Sequence, residues 1–396
     1  MCEVRDVFIV GASRTAIGSF LGTLKNFSAP ELGGFAIKEA LKRAGLKGED
    51  VGEVIMGNVV SAGIGQAPAK QAAMKGGIPP TVSCFTLNKV CGSALKAVAL
   101  AVQAIQLEEK EIVVAGGMES MSRAPHLLWG AREGVKFGDI KIKDSMILDG
   151  LWCAFEDFHM GMTGEIVAEK FGATREEQDE YALSSHQKAA HAIEKGYLKE
   201  EIVPVEVPQK KGEPVIFDVD EQPRKDTTLE KLAKLKPAFK KDGTVTAGNA
   251  STLNDGAAAV VLASVDEVKE KGLTPLAKIL GTTTNAVEPA MVMYAPKRAI
   301  EKLLAAVGWK LKDVDLMEIN EAFSAQLVVL LKELGLDREK VNIHGGAVAL
   351  GHPIGATGAR ILTTLLYALK HRRKKRGVAA LCLGGGDAVA MAIEMV

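Results

Sequence analysis

Cys91 lies in the stretch Asn88-Lys89-Val90-Cys91-Gly92-Ser93-Ala94, just ahead of Leu95, Val98, Val102 and Ile105 at helical spacing. At a helix start, free N–H groups and the positive dipole end lower a thiol pKa and raise its thiolate fraction. The small neighbours leave room for a substrate carbonyl, so the position suits a nucleophile that forms a covalent intermediate. The competing reading is a buried structural cysteine. His352 stands among small residues, from Gly345-Gly346 to Gly355-Ala356-Thr357-Gly358, and fits a base or an oxyanion donor. Cys382 closes an apolar run before Gly384-Gly385-Gly386; alone, it reads as a core strand residue. The glycine run lacks the Lys-Ser/Thr of a phosphate loop and the spacing of the dinucleotide fingerprint.

An internal repeat relates the elements that must position these groups. Ala44-Gly45-Leu46-Lys47-Gly48-Glu49-Asp50-Val51 through Met56-Gly57-Asn58 reads like Val307-Gly308-Trp309-Lys310-Leu311-Lys312-Asp313-Val314 through Ile319-Asn320-Glu321. In both, a helix ends at Gly, a Lys/Asp turn follows and a short apolar strand leads to a polar residue. The offset from Gly45 to Gly308 carries Cys91 onto Ile354, beside His352. Each place precedes an amphipathic helix; the second carries Ile361, Leu362, Leu365, Leu366 and Leu369. Each helix then leads to a buried strand ending in glycine, Ile112–Gly117 and Ala379–Gly386. The pattern predicts two α/β halves related by duplication, with strand-to-helix junctions at the glycine pairs Gly116-Gly117, Gly345-Gly346 and Gly384-Gly385. Residues 121–248 have no counterpart in the repeat and contain a strong helix former, Arg175 to Glu194. Such an insert is either a surface decoration or a cover over the active site.

Composition excludes several classes. Lys+Arg and Asp+Glu both number 49, so the basic excess of a nucleic-acid-binding protein is absent. Hydrophobic content of 47% with 25% charged residues is that of a globular chain. Five scattered cysteines without metal-ligand spacing argue against a disulfide framework and for a reducing compartment. No secretory signal, peroxisomal address or bilayer-spanning run is read, so the expectation is a soluble cytoplasmic protein with no membrane partner. The run His371-Arg372-Arg373-Lys374-Lys375-Arg376 is read as the solvated end of the second long helix, where cations suit the dipole.

Taken together, Asn88-Lys89-Val90-Cys91-Gly92-Ser93, Asn320-Glu321-Ala322-Phe323, Gly351-His352-Pro353 and Cys382-Leu383-Gly384 resemble the thiolase family over essentially the whole chain, in its acetyl-CoA acetyltransferase branch. The resemblance implies an α/β fold of two duplicated βαβαβαββ halves in a five-layer αβαβα core. Its domains would be residues 1–120 with 249–273, an inserted loop domain at 121–248, and residues 274–396. It implies acetyl-CoA C-acetyltransferase activity, the reversible condensation of two acetyl-CoA to acetoacetyl-CoA and CoA, with cleavage of longer 3-ketoacyl-CoA as the alternative.

The resemblance also assigns roles. Cys91, activated by His352, takes the acyl group. The N–H groups of Cys91 and Gly384 hold its oxyanion, Asn320 (through a water) and His352 stabilise the enolate, and Cys382 moves the α-proton. His159, Met160, Arg224, Phe239, Ala247, Ser251 and Phe323 would line the CoA site. No metal or cofactor is implied beyond CoA thioesters as substrates, and a homotetramer built as a dimer of dimers is implied. Two departures stand out. Met291-Val292-Met293-Tyr294-Ala295-Pro296 replaces a more glycine-rich family segment near the acyl pocket, and His344 occupies a position that is commonly Asn.

Overall fold

A computed structural model describes residues 5–134 and 136–396. The first half runs β1 (Val7–Thr15), α1 (Ala29–Ala44), β2 (Glu53–Gly57), α2 (Pro68–Lys75), β3 (Ser83–Leu87), α3 (Ser93–Gln106) and β4 (Ile112–Ser120). A long insert follows, containing the hairpin β5 (His126–Leu128) and β6 (Ile142–Asp144) and the helices α4 (Gly161–Phe171) and α5 (Arg175–Glu194). The half is completed by β7 (Asn254–Ser264). The second half runs β8 (Ala277–Ala286), α6 (Ala295–Val307), β9 (Leu316–Ile319), α7 (Ser324–Leu334), α8 (Thr357–Arg372), β10 (Arg376–Leu383) and β11 (Asp387–Met395).

The strands lie in the order β9-β10-β11-β8-β1-β7-β4-β2-β3. Within each half the early strands pair in parallel, β3 with β2 and β2 with β4, and β9 with β10, while the last strand of each half, β7 or β11, runs antiparallel to its neighbour. The halves meet where β1 and β8 pair antiparallel over Phe8–Lys278 and Ile9–Ala277. Duplication is visible in detail. Both first strands shift register at the same step, Ile9 to Gly11 and Ile279 to Gly281. Both α1 and α6 end on a glycine in the left-handed region, Gly45 at φ 70° and Gly308 at φ 71°, which a side chain would strain. In the turns that follow, Asp50 accepts from the Lys47 N–H and Asp313 from the Lys310 N–H, each at 2.8 Å. The third parallel strand is reduced in the second half to one bridge, Met317 with Val341.

Strand alternation sorts the buried residues into three cores. Leu95, Val98, Val102 and Ile105 of α3 and Ile361, Leu362, Leu365 and Leu369 of α8 share one core with Val113, Ala115, Leu262, Leu381 and Met391 from both half-sheets. The alternate strand residues Ile112, Val114 and Val261 face α1 and α2, while Val378, Ala380 and Ala390 face α6 and α7. The result is five layers, α1/α2, half-sheet, α3/α8, half-sheet and α6/α7. Each fully buried Leu, Ile or Val in these cores contributes roughly 1.5–3 kcal/mol.

None of the three expected glycine junctions joins a strand directly to a helix. Gly345-Gly346 leads into the one-turn helix Ala347–Leu350. Gly116-Gly117 lies inside β4, and Gly384-Gly385-Gly386 is the turn from β10 to β11. The inner pair serves close approach: a Cβ on Gly117 would sit 2.1 Å from the Gly355 carbonyl, in the loop that carries His352. The helix read at Arg175–Glu194 is present, with Thr174 capping it: its hydroxyl accepts from the Glu177 N–H at 3.2 Å. The basic run at 371–376 spans the end of α8 and the start of β10, and Lys370 and His371 pair with Glu200.

The insert is built into the core. Ile202–Val203 pairs in parallel with the end of β1. The fully buried Arg14 guanidinium pairs with Glu201 at 2.5 Å and Asp220 at 2.7 Å, both insert residues. Among the described residues no helix is long and apolar enough to cross a membrane.

Candidate active site

The parallel strands deliver their C-terminal ends to one crevice, the place where α/β sheets put ligand-binding loops. Cys91 follows β3, Asn320 follows β9, Cys382 lies near the end of β10, and His352 comes just before α8. Cys91, His352, Cys382 and Gly384 line one cavity of about 60 Å³, closed by Leu151, Met160, Val292, Met293 and Phe323.

The Cys91 turn is heavily pinned. Val90 holds φ +47°, a strained conformation for a β-branched residue, worth about 1–3 kcal/mol. Its N–H donates to Asn88 Oδ1 at 3.0 Å, and Ser93 Oγ accepts from the Lys89 N–H at 2.8 Å while donating to the Val90 carbonyl at 2.6 Å. The Lys89 ammonium pairs with the Asp387 carboxylate and so fastens this turn to the Gly384 turn. The helix itself begins at Ser93, two residues after Cys91.

The expected lowering of the Cys91 pKa is outweighed. Burial pushes the thiol up to about 12, although the backbone N–H groups of Gly384 and of Cys91 itself favour the thiolate. Burial, with the charge of Arg360 second, pushes His352 down to about 3. The resting pair is therefore neutral thiol and neutral imidazole. The imidazole tautomer follows from its neighbours. Thr357 Oγ donates to the Pro353 carbonyl at 2.9 Å, so it accepts from His352 Nδ1 at 2.7 Å. Nε2 is then the basic nitrogen, with the Asn320 Nδ2 donor 3.5 Å away. The His352 backbone N–H donates to Asn254 Oδ1 at 2.9 Å.

Cys382 is buried, and its thiol is held above its ordinary range by burial and by the nearby Cys91. Its Sγ lies 3.4 Å from Gln326 Oε1 and 3.8 Å from Met293 Sδ. Asn320 is outside the cavity lining and reaches it through His352, with its Oδ1 buried and, among the described residues, unpartnered.

Sequence reasoning missed three residues here. Thr357 sets the His352 tautomer, and Gln326 meets Cys382. Glu119 accepts from Asn58 Nδ2 at 2.8 Å, from the Val59 and Val60 N–H groups at 3.1 and 3.2 Å, and from the Gly355 N–H at 2.9 Å. It thereby joins the loop after β2 to the His352 loop. Burial raises the Glu119 carboxyl to about 7. Thr357 was at least visible as a hydroxyl five residues after His352; Gln326 and Glu119 carried no local signal.

A second cavity of about 540 Å³ opens onto the first, sharing Leu151, Met160, Ser251, Phe323, His352 and Ile354. It brings together six of the seven expected CoA-site residues: His159, Met160, Phe239, Ala247, Ser251 and Phe323. His159 stacks on Phe239 at 4.8 Å, and Phe239 meets Phe323 edge-on at 6.1 Å. The seventh, Arg224, lies apart, in an outer cavity of about 180 Å³ with Lys231 and His186 that shares Gln222, Ala247 and Thr252 with the second. The three cavities form one track from an outer mouth that carries Arg224, where Lys231 is paired with Asp226, through an apolar channel, to the two thiols. Among the described residues no group of three or more His, Cys, Asp or Glu side chains is placed to hold a metal ion.

The family model "Thiolase, N-terminal domain" matches residues 7–266, and "Thiolase, C-terminal domain" matches residues 273–395. The chain is 55% identical over 390 residues to the acetyl-CoA acetyltransferase of Pseudomonas aeruginosa, covering 98% of this chain and 99% of that one. It is 55% identical to the acetyl-CoA acetyltransferase of Cupriavidus necator, with 98% and 99% covered. The fold superposes on the crystal structure of the Bacillus anthracis acetyl-CoA acetyltransferase with a TM-score of 0.97, at 46% identity and 99% coverage of both chains.

Proposed function

The chain belongs to the thiolase family, and on that premise we propose that it is an acetyl-CoA C-acetyltransferase, condensing two acetyl-CoA to acetoacetyl-CoA and CoA and catalysing the reverse thiolysis. The observation that carries the reading is the convergence of Cys91, His352, Cys382 and Gly384 on one small cavity at the closed end of an apolar channel. Its size favours an acetyl group over longer acyl chains.

In this reading His352 Nε2 takes the Cys91 proton as Sγ attacks the thioester carbonyl, the carbonyl–sulfur bond to CoA breaks, His352 hands that proton to the departing CoA thiolate, and acetyl-Cys91 remains. The N–H groups of Cys91 and Gly384 face the Cys91 sulfur and are placed to hold the oxyanion. A second acetyl-CoA then enters. Cys382 takes its α-proton, while the His352–Asn320 pair (with a bridging water on Asn320) holds the enolate oxygen. The carbanion attacks acetyl-Cys91, the C–C bond forms, the Cys91–acyl bond breaks, and the departing Cys91 thiolate takes up the proton that the Cys382 thiolate had accepted. The enzyme needs no cofactor beyond its CoA substrates in this scheme. The inserted domain, 121–248, with the first half at 1–120 and 249–273 and the second at 274–396, supplies one wall of the channel. Pantetheine would occupy that channel, with the adenine nucleotide near Arg224.

A homotetramer in the cytoplasm completes the proposal. It is supported by the exposed apolar hairpin tip in the insert and by the edge strand β3.

Intact-protein mass spectrometry after mixing with acetyl-CoA tests the assignment. Cys91→Ala should give no adduct, and Cys382→Ala should be acetylated yet form no acetoacetyl-CoA. An acetyl adduct that persists without Cys91 overturns the reading. Cleavage of acetoacetyl-CoA beside a longer 3-ketoacyl-CoA tests chain length, and equal rates would favour the degradative alternative.

A further inference from the structure

Gln326 is the polar side chain at Cys382 that the reaction scheme leaves without a task. It is fully buried on the first turn of α7, two residues into the helix that follows Asn320-Glu321-Ala322-Phe323. Its Oε1 lies 3.4 Å from Cys382 Sγ. Its Nε2 is also buried and, among the described residues, has no hydrogen-bond partner. A buried amide donor left unpaired costs about 1–3 kcal/mol, a penalty that packing alone gives no reason to retain. The other neighbour of the Cys382 sulfur is the thioether of Met293 at 3.8 Å, which donates no proton. The titratable groups facing Cys382 across the cavity are Cys91 and His352.

We propose that Gln326 is a positioning residue for proton transfer at Cys382, accepting from the thiol through Oε1 and donating to the thiolate through Nε2. This rests on the reading of Cys382 as the acid/base. A primary amide is both donor and acceptor, so rotation about its terminal bond meets either state of the sulfur. When the α-proton of acetyl-CoA moves to Cys382, the C–H bond breaks, the S–H bond forms, and the electron pair left on carbon makes the new C–C bond. The S–H then points at Oε1. In the return direction the S–H bond breaks and Nε2 faces the resulting thiolate. The unpaired Nε2 is thus the donor kept for the charged state. One connection carries a polar contact to each of two reacting groups: Asn320 at its start reaches His352, and Gln326 on its first helical turn reaches Cys382.

The test separates the two half-reactions in the full-length enzyme. Acylation of Cys91 is followed by exchange of labelled CoA into acetyl-CoA, and proton transfer by deuterium uptake into the acetyl methyl group in D2O. Gln326→Met, close in volume, should keep CoA exchange within about twofold and lower deuterium uptake about tenfold or more, within the range that acid–base placement contributes. Gln326→Glu places a carboxylate beside the sulfur and should move the pH limb of deuterium uptake to higher pH. This variant carries the test if Gln326→Met fails to fold. Loss of both half-reactions together, or of neither, with an unmoved pH limb, overturns the inference. Cys382→Ala is run alongside: if it retains deuterium uptake, the acid/base reading of Cys382 fails first. If it loses uptake while both Gln326 variants keep it, only the role of Gln326 fails.

Discussion

At the residue scale the site is a set of neutral groups held ready to ionise. Burial moves Cys91 up to about 12 and His352 down to about 3, so the neutral pair dominates between those limits. A depressed histidine pKa means that the base is free at all pH values above the shifted value, including those below its ordinary 6.5. CoA exchange into acetyl-CoA should therefore be nearly flat from about pH 5 to 7. A tenfold fall per unit below pH 6.5 would show an unshifted imidazole instead. The useful tautomer depends on Thr357 at 2.7 Å. Thr357→Val keeps the shape but removes the acceptor, and the cost of an unpaired buried N–H or a switched tautomer is about 1–3 kcal/mol. The expected outcome in steady-state kinetics is a kcat about 10–100 times lower with KM little changed. A wild-type kcat would mean that Nδ1 is held by something else. Cys91 and His352 stood out in the sequence as candidates through the small residues around them and, more strongly, through the motifs that resemble the thiolase family. Thr357 and Gln326 did not, since their meaning lies in which atom they face.

At the scale of elements, the central layer controls the distance between the two halves of the site. Cys91 precedes α3 and His352 precedes α8, and these helices pack side by side between the half-sheets. Their approach depends on Gly358, whose Cβ would lie 2.4 Å from the Leu95 backbone nitrogen. Gly358→Ala must push α8 away from α3, and overpacking of this kind costs about 1–3 kcal/mol. Urea denaturation should register that loss, and CoA exchange should fall with it, because the displacement separates Cys91 from His352. Unchanged stability would mean that the helices can slide without strain. The duplication itself was readable, since Gly45 and Gly308 end equivalent helices and Lys47–Asp50 and Lys310–Asp313 form equivalent turns. The repeat could not show that Gly384 closes a hairpin or that Gly117 lies within a strand. Glycine marks close approach in either setting, and the partner that approaches is distant in sequence. Nor could it show that the insert pays into the core through Arg14, because Glu201 and Asp220 become partners of β1 only when the chain returns.

At the scale of the whole molecule, the surface carries two features that a lone chain explains poorly. The β5–β6 hairpin presents Leu128, Trp129, Ile140 and Ile142, and Phe137 beside them is 101% exposed. Contiguous apolar residues at a loop tip mark a contact surface. At the far end of the sheet, β3 has one unpaired edge with Phe85 exposed, and such an edge invites pairing with another chain. Two separate self-complementary surfaces are what a dimer of dimers requires, each joined about its own twofold axis. The two surfaces can be tested apart. Trp129→Asp combined with Phe137→Asp alters only the hairpin tip, so sedimentation equilibrium should report four chains of 42.0 kDa for the proposed homotetramer and two for the variant. The proposed catalytic groups lie elsewhere, and acetylation of Cys91 should survive in the smaller species. The hairpin belongs, however, to the same insert that supplies Leu151, His159 and Met160 to the channel wall. Loosening it should therefore raise KM for acetyl-CoA severalfold while kcat changes less. An unchanged assembly mass would remove the hairpin from the interface and leave its apolar tip to a different partner.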